Sequence, residues 1–140
     1  MRTPRSGRQG GRPMRIFTRD EATALLPRLI PSLEMLREAK GEVDQLRAEL
    51  DALTPIMRGN GSGAEAARVE NRLTELAGSV RRQVRKVLTQ GVIIKDLDQG
   101  LIDFPTERDG RVVMLCWRLG EESISYWHEF DGGFAGRLPL

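Results

Sequence analysis

The sequence predicts an α+β domain in which an antiparallel, coiled-coil-like two-helix hairpin precedes a three- or four-stranded antiparallel β-meander. Two stretches with apolar residues three and four positions apart indicate the helices, and short β-rich runs between turn residues after residue 91 indicate the strands. The 140 residues suit one domain. We therefore expect a basic tail over residues 1–13 and a single domain over 14–140, with the hairpin at 14–91 and the meander and C-terminal tail at 92–140.

A capping box, Thr18 followed three residues later by Glu21, predicts the start of the first helix. Pro27 and Pro31 each remove an amide donor, so we expect the first turns to be kinked, or divided into a short helix and a long one. Beyond them the apolar residues follow a heptad seam. The seam consists of Leu36, Ala39, Val43, Leu46, Leu50 and Leu53.

The stretch "TPIMRGNGSG" (54–63) has the composition of a turn and predicts a loop. The heptad spacing then returns at Ala66, Val69, Leu73, Leu76, Val80, Gln83 and Val87, and Gly91 predicts the end of the second helix. Two such helices fold back on each other so that each covers the other's seam. Because residues 18–90 contain no aromatic residue, the core between the helices is thin, and we expect a third surface from the meander or from a second copy.

From residue 92 onward, turn residues separate short β-rich runs. "GVIIKDLDQGLIDFP" contains two of them, and the Asp-Gly pair in "RDGR" (108–111) is a hairpin signal before "VVMLCW". In "SISYWHEF" the alternation places Ile124, Tyr126 and His128 on one face. Six of the seven aromatic residues lie in this part of the chain, so we expect the densest core here, including Leu115, Trp117, Tyr126 and Phe134.

The charge is unevenly distributed along the chain. Residues 1–13 carry four arginines and no acid, whereas residues 92–140 carry five basic and nine acidic groups. An Arg/Gly/Pro/Ser tail buries too little apolar surface to order itself, so we expect residues 1–13 to be disordered. Since "MRIFTRDEATALL" from Met14 reads as the beginning of a compact domain, the tail is either a dispensable extension or a basic arm that contacts nucleic acid.

Several classes of protein are disfavoured by the composition. A single cysteine excludes an internal disulfide framework, and one cysteine with one histidine cannot assemble a structural zinc site of Cys and His ligands. No apolar run approaches the roughly 20 residues that span a bilayer, and no apolar stretch follows the basic N-terminus as in a signal peptide. We expect a soluble cytoplasmic protein without a membrane partner.

Four sequence blocks carry a resemblance to a known family. They are "FTRDEATALLPRL", "KDLDQGLIDFP", "GRVVMLCWRLGE" and "WHEFDGGFAGRLPL". With these blocks the chain resembles, over residues 14–140, the prokaryotic family catalogued as domain of unknown function 2203. The resemblance implies domain limits and a bacterial origin, and it implies no particular chemistry.

Polar side chains on or beside the predicted sheet are the candidates for a site. The candidate catalytic residues are His128, Asp103 and Glu121, and the candidate ligand-binding residues are Arg137, Trp117 and Trp127. A carboxylate that orients an imidazole, a second carboxylate and an arginine would suit acid–base chemistry on an anionic substrate. The structural alternative is that His128 bonds a carboxylate at the sheet edge, that Arg137 pairs with an acid to hold the tail, and that Asp103 caps a turn.

Other features favour structural interpretations. A metal site of His128 with Asp103, Glu121, Glu129 or Asp131 lacks spaced ligand pairs, so we predict neither a metal nor a cofactor. Cys116 lies in an apolar strand, where a thiol behaves as a small hydrophobe with a raised pKa. "GGFAGR" (132–137) lacks a following helix to bind phosphate, and "VRRQVRK" (80–86) is a solvated face or a complement to the acidic meander.

These observations predict a non-enzymatic interaction or regulatory module. It would form a homodimer or higher homo-oligomer through the helical hairpin and present its sheet surface to a protein partner. The alternative is a small enzyme or ligand-binding protein for an anionic small molecule, with Arg137 as anion clamp and His128 with Asp103 or Glu121 as acid–base pair.

Overall fold

The computed structural model describes residues 7–9, 12–53 and 63–140, with side chains from Met14 onward within these ranges. Two helices precede the main sheet, α1 (Arg19–Ala52) and α2 (Gly63–Leu88). The strands are β1 (Gly7–Gln9), β2 (Arg12–Met14), β3 (Ile93–Asp96), β4 (Leu101–Arg108), β5 (Arg111–Arg118), β6 (Tyr126–His128) and β7 (Leu138–Pro139). Two consecutive helices followed by an antiparallel sheet confirm the predicted α+β class.

Two predicted segments fall largely outside the described residues. Within the basic tail, β1 and β2 pair as a two-stranded antiparallel ribbon, whereas residues 1–6, 10 and 11 are not described. Disorder of the tail at 1–13 therefore stays a prediction. The predicted loop at 54–63 lies outside the described residues except for Gly63, the first residue of α2.

The capping box at the start of α1 is confirmed. The Thr18 hydroxyl accepts the Glu21 amide at 3.1 Å, and Glu21 Oε1 accepts the Thr18 amide at 3.1 Å. These bonds lower the pKa of Glu21, because the charged carboxylate accepts from the Thr18 backbone. The reciprocal pair satisfies two backbone donors that a helix start otherwise leaves free.

Both prolines lie inside an unbroken helix, so of the two expected alternatives the division into a short and a long helix is wrong, and the kink stays a prediction. Pro27 and Pro31 are exposed on one side of the helix. Leu26, Leu29 and Leu33, on the other side, are buried against the sheet. The carbonyls that lose their amide partners therefore lie on the solvent side, where water can bond them. Burial of the leucine face holds the helix together across the missing backbone bonds.

The hairpin contains a hydrophobic cluster of its own, to which no strand residue of the described ranges contributes. Leu46, Val69 and Leu76 are buried there, with Ala39, Val43, Leu50 and Leu73 partly buried around them. We call residues 35–52 of α1 and 63–79 of α2 the helical arm. Arg72 pairs with Glu42 at 3.0 Å across the two helices, as expected for antiparallel heptad helices.

The main sheet is a five-stranded antiparallel meander in the order β3-β4-β5-β6-β7. It has one strand more than the upper number predicted, because Leu138–Pro139 of the glycine-rich tail pairs with β6. One face packs on α1 and the end of α2, with Ile102, Phe104, Leu115 and Trp117 in the shared core. Phe17, just before α1, meets Phe104 edge to face with ring centroids 5.3 Å apart, a contact worth about 1 kcal/mol.

Three residues differ from their predicted placement around this core. Tyr126 and Phe134 are 36% and 37% exposed, so neither belongs to the core. Ile124 packs in the helix-side core and does not share a face with His128, because β6 begins only at Tyr126. Within the described ranges, no helix combines the length and the apolar character needed to cross a membrane.

Candidate functional site

The sheet face turned away from the helices carries a buried polar pair. Asp103 of β4 lies opposite Cys116 of β5, and His128 of β6 lies opposite Met114, so the side chains of all four share this face. His128 Nε2 is 3.0 Å from Asp103 Oδ2. Both side chains are only 1% exposed, so the fold brings these two sequence candidates together as a buried acid–imidazole pair.

The second ring nitrogen of His128 contacts the backbone of the chain that follows. Its Nδ1 is 2.7 Å from the Glu129 carbonyl oxygen, and the Gly133 amide approaches Nδ1 at 3.2 Å. One nitrogen cannot both donate to a carbonyl and accept an amide, so the tautomer of the ring decides which of these two contacts is a hydrogen bond, and either one holds this edge of the ring against the backbone. The ring is thereby oriented with Nε2 toward Asp103.

Cys116 is the third member of this group. Its thiol, an Asp103 carboxylate oxygen and a His128 ring nitrogen lie within 4.8 Å of one another, and we call these three residues the Asp103 cluster. Burial and the neighbouring Asp103 charge raise the pKa of the Cys116 thiol to about 12, against a smaller opposite effect of Arg137. The thiol is therefore protonated at neutral pH and is not an activated nucleophile, as the sequence predicted.

Glu121 and Arg137 form a separate pair beside the cluster. Arg137 Nη2 donates to Glu121 Oε1 at 2.8 Å and to the Cys116 carbonyl at 3.2 Å. The guanidinium also stacks on the Tyr126 ring, 4.1 Å from its centroid, and on Phe134 at 4.7 Å. This is the tail-holding ion pair that the structural alternative predicted.

The sequence candidates thus divide into two groups joined through one residue. The Cys116 thiol belongs to the Asp103 cluster, and its carbonyl accepts from Arg137 of the second pair. Trp117 and Trp127, the other ligand-binding candidates, lie in the core on the opposite face. Trp117 Nε1 donates to the Glu121 backbone carbonyl at 3.2 Å, but neither indole lies on the face that carries the Asp103 cluster.

The two remaining carboxylates considered for a metal site lie elsewhere. Glu129 forms a two-bond ion pair with Arg111, which lowers the pKa of Glu129. Asp131 is exposed. Neither belongs to the Asp103 cluster.

The sequence analysis missed the place of Cys116 in this cluster, although a signal for it was present. Asp109 and Gly110 have positive φ angles of 51° and 80°, as a two-residue hairpin turn of the Asp-Gly type requires. Such a turn pairs Arg108 with Arg111. Five residues farther from the turn along each strand, Asp103 pairs with Cys116. Counting the register would have put the thiol beside the carboxylate.

Comparison with known proteins identifies the family. The family model described as "Uncharacterized conserved protein (DUF2203)" matches residues 15–140. The chain belongs to the DUF2203 family. Among curated proteins and among solved structures, no significant match is found.

The matched range of the DUF2203 family contains the whole candidate region. Asp103, Cys116 and His128 lie in three separate blocks of the sequence, and the fold brings them together on adjacent strands. The family description names no activity, so the function of this member has to be argued from its own geometry.

Proposed function

We propose that this DUF2203 protein is a non-enzymatic interaction module that self-associates through the helical arm and presents its C-terminal surface to a protein partner. The observation that carries the proposal is the incomplete covering of the arm's seam. Leu46, Ala66, Val69 and Leu76 are buried there, whereas the seam residues Ala39, Val43, Leu50 and Leu73 stay partly exposed. A second arm would cover them, since four helices enclose a seam that two leave open.

The arm also carries a surface groove in which apolar side chains lie among polar and charged ones. Met35 is 47% exposed at its end, and Ala39 and Leu76 lie beside it between the two helices. Glu42 and Arg72 pair at the edge of the groove, so charged side chains border an apolar centre. An apolar centre with a charged border is the usual make-up of a helical packing surface.

A second exposed apolar surface supports a protein partner. Among the described residues, five of the seven exposed large apolar side chains lie in the last fifteen positions of the chain. This C-terminal aromatic surface consists of Tyr126, Phe130, Phe134, Leu138 and Leu140. Arg137 and Arg118 lie against Phe134, so the surface combines the residue types that dominate protein interfaces.

The alternative, an enzyme or binding protein for an anionic small molecule, has less support. Its anion clamp, Arg137, already holds the Glu121 carboxylate, and a substrate would have to compete with that internal anion. Its acid–base pair, His128 with Asp103, is 1% exposed and is closed off from solvent. A general acid or base must reach its substrate within hydrogen-bonding distance.

The oligomeric state of the purified chain tests the self-association. We expect a dimer or larger oligomer at tens of micromolar by light scattering coupled to size-exclusion chromatography. Replacing Met35 and Ala39 together by glutamate should weaken association at least about tenfold, because burying a charge among the apolar side chains of the groove is unfavourable. Leu46 and Leu76 are unsuitable targets, since both are buried within the chain and their charged variants would unfold the hairpin.

Leu88→Glu is the matched control for this experiment. Leu88 is 51% exposed on a helix, like Met35, but it lies at the end of α2 and outside the arm. This variant should keep the oligomeric state of the wild type. A wild-type chain that is monomeric at tens of micromolar would contradict the proposal, as would equal effects of the groove and control variants.

A further inference from the structure

The Asp103 cluster has a donor set with no use in the proposed interaction function. One carboxylate, one thiol and one imidazole from three adjacent strands lie within 4.8 Å of one another, and all three residues are 1% exposed. If these three positions served only for packing, apolar residues like their neighbour Met114 would suit them better. Three metal-ligating side chains that meet in one buried place indicate a binding site for a metal ion.

The Asp103 carboxylate has an unused oxygen. Its Oδ2 faces His128, whereas its Oδ1 is buried without an N–H or O–H donor, and the Cys116 thiol beside the carboxylate is a weak donor. A buried acceptor without a partner costs free energy, and a carboxylate oxygen costs more than a neutral one. A cation bound in the cluster would satisfy this oxygen.

We propose that Asp103, Cys116 and His128 bind one divalent transition-metal ion, with Zn²⁺ as the expected occupant. Thiolate and imidazole select Zn²⁺ over Mg²⁺ and Ca²⁺, which prefer oxygen ligands. The thiol gives up its proton to solvent on binding, since the thiolate is the ligand. Thiolate and carboxylate then balance the two positive charges of the ion, so the buried site is neutral as a whole.

The distances fit this ion after a small adjustment. With zinc bonds of about 2.0–2.3 Å, tetrahedral ligand atoms lie roughly 3.3–3.8 Å apart. His128 Nε2 and Asp103 Oδ2 are 3.0 Å apart, and the three ligand atoms are at most 4.8 Å from one another. The shifts are therefore about 1 Å or less, within the reach of side-chain rotation on a rigid sheet.

The surroundings of His128 orient it as a ligand. Metal-binding imidazoles commonly donate their other ring nitrogen to a backbone carbonyl, which fixes the tautomer. Here Nδ1 contacts the Glu129 carbonyl at 2.7 Å, leaving Nε2 on the side of Asp103. The ion would join β4, β5 and β6 directly and would also hold the tail, whose Gly133 amide contacts the same ring.

Metal binding by the wild-type chain is the first test. The full chain, without an affinity tag, is dialysed against Zn²⁺ and then against buffer, and bound zinc is measured by mass spectrometry. We expect one Zn²⁺ per chain, a thiolate-to-metal charge-transfer band when Co²⁺ replaces Zn²⁺, and no binding of Mg²⁺. Zn²⁺ at about 100 times its Kd should raise the Tm by roughly 10 °C.

Variants assign the ligands. Cys116→Ser keeps the size of the side chain and should abolish the charge-transfer band and weaken Zn²⁺ binding at least about hundredfold. Asp131→Asn is the matched control, because it removes an exposed carboxylate near the tail but outside the cluster. It should bind Zn²⁺ like the wild type.

Three results would overturn the proposal. They are a wild-type chain that retains no zinc, a Co²⁺ complex without the thiolate band, and a Cys116→Ser variant that binds as well as the wild type. The measurements on the wild type and on Asp131→Asn do not depend on a core substitution, so misfolding of a variant cannot decide the outcome. These metal-binding measurements do not depend on the oligomeric state, so they test the metal site separately from self-association.

Discussion

At the residue scale, two glycines with positive φ occupy different surroundings. Gly100, in the turn between β3 and β4, has a φ of +61°, and a Cβ added there would lie 2.6 Å from the Cβ of Leu119. Its carbonyl also accepts the Leu119 amide at 3.0 Å, which keeps the two backbones together. Gly110, in the turn between β4 and β5, has a φ of +80° and open space around it.

This difference predicts unequal costs of the same substitution. Gly110→Ala should lower the free energy of unfolding by about 1–2 kcal/mol, the cost of a left-handed backbone with a Cβ. Gly100→Ala should lower it by about 2–5 kcal/mol, because the clash with Leu119 adds to that backbone cost. Urea unfolding of both variants measures the difference, and equal losses would contradict it.

At the element scale, α1 shows how packing overrides a local signal. Its N-terminal half is fastened to the sheet by Leu26, Leu29 and Leu33, and its two prolines lie on the solvent side. The helix therefore continues where the residue types alone left a division into two helices open. Its C-terminal half packs on α2 through the thin cluster of the helical arm, and Lys40 also pairs with Asp98 of the turn between β3 and β4 at 3.1 Å.

Restoring the missing backbone donor should therefore stabilise the protein. Pro31→Ala supplies an amide that can bond the Pro27 carbonyl, and we expect the free energy of unfolding to rise by about 1–2 kcal/mol. This is less than the intrinsic helix preference of alanine over proline, because proline also restricts the unfolded chain. Chemical denaturation measures the change.

Arg28→Ala serves as the control for the proline substitution. Arg28 is exposed in the same part of α1, and its replacement leaves the backbone donors unchanged. It should change the free energy of unfolding by less than about 0.5 kcal/mol. A destabilised Pro31→Ala variant would mean that the helix needs the proline geometry.

At the scale of the whole molecule, the C-terminal tail closes the sheet face that the helices leave open. Arg137 bonds Glu121 and the Cys116 carbonyl, and Gly133 contacts His128. The side chains of Arg137 and Glu121 are 10% and 18% exposed, so their pair is partly shielded from water. A shielded pair with good geometry resists separation more than a surface pair does.

Loosening this pair should expose Cys116 to reagents. In the presence of EDTA, the wild-type thiol should react with iodoacetamide at least about a hundredfold more slowly than in the unfolded chain, because it is buried and its pKa is about 12. Arg137→Met removes the charge and keeps the apolar stem, and it should raise the native labelling rate at least about tenfold. Mass spectrometry over time measures both rates.

Arg118→Met is the matched control for tail opening. Arg118 also lies over the Phe134 ring, at 5.3 Å, but it is exposed, and its side chain does not bond Glu121 in the described structure. Labelling of Cys116 in this variant should match the wild type. If Arg137→Met labels no faster than Arg118→Met, the ion pair does not hold the tail.

The candidate site was predictable in four of its members, but not in the place of Cys116, and only partly in its arrangement. His128 with Asp103 and Glu121 with Arg137 meet as two pairs, and all four residues were named from the sequence. Their division into two groups depends on the register of β6 against β5. Residues 119–125 connect these strands by a loop longer than two residues, so no local turn chemistry sets that register.

The sequence by itself determined the features that depend on near neighbours along the chain. The capping box, the heptad seams and the Asp-Gly hairpin are of this kind, because residues a few positions apart decide a helix start, an apolar face or a two-residue turn. The tertiary structure alone decided that α1 continues through its prolines, that the tail closes the sheet, and that Tyr126 and Phe134 stay exposed. These outcomes depend on the free energy of burial between distant segments, and local propensities carry no information about it.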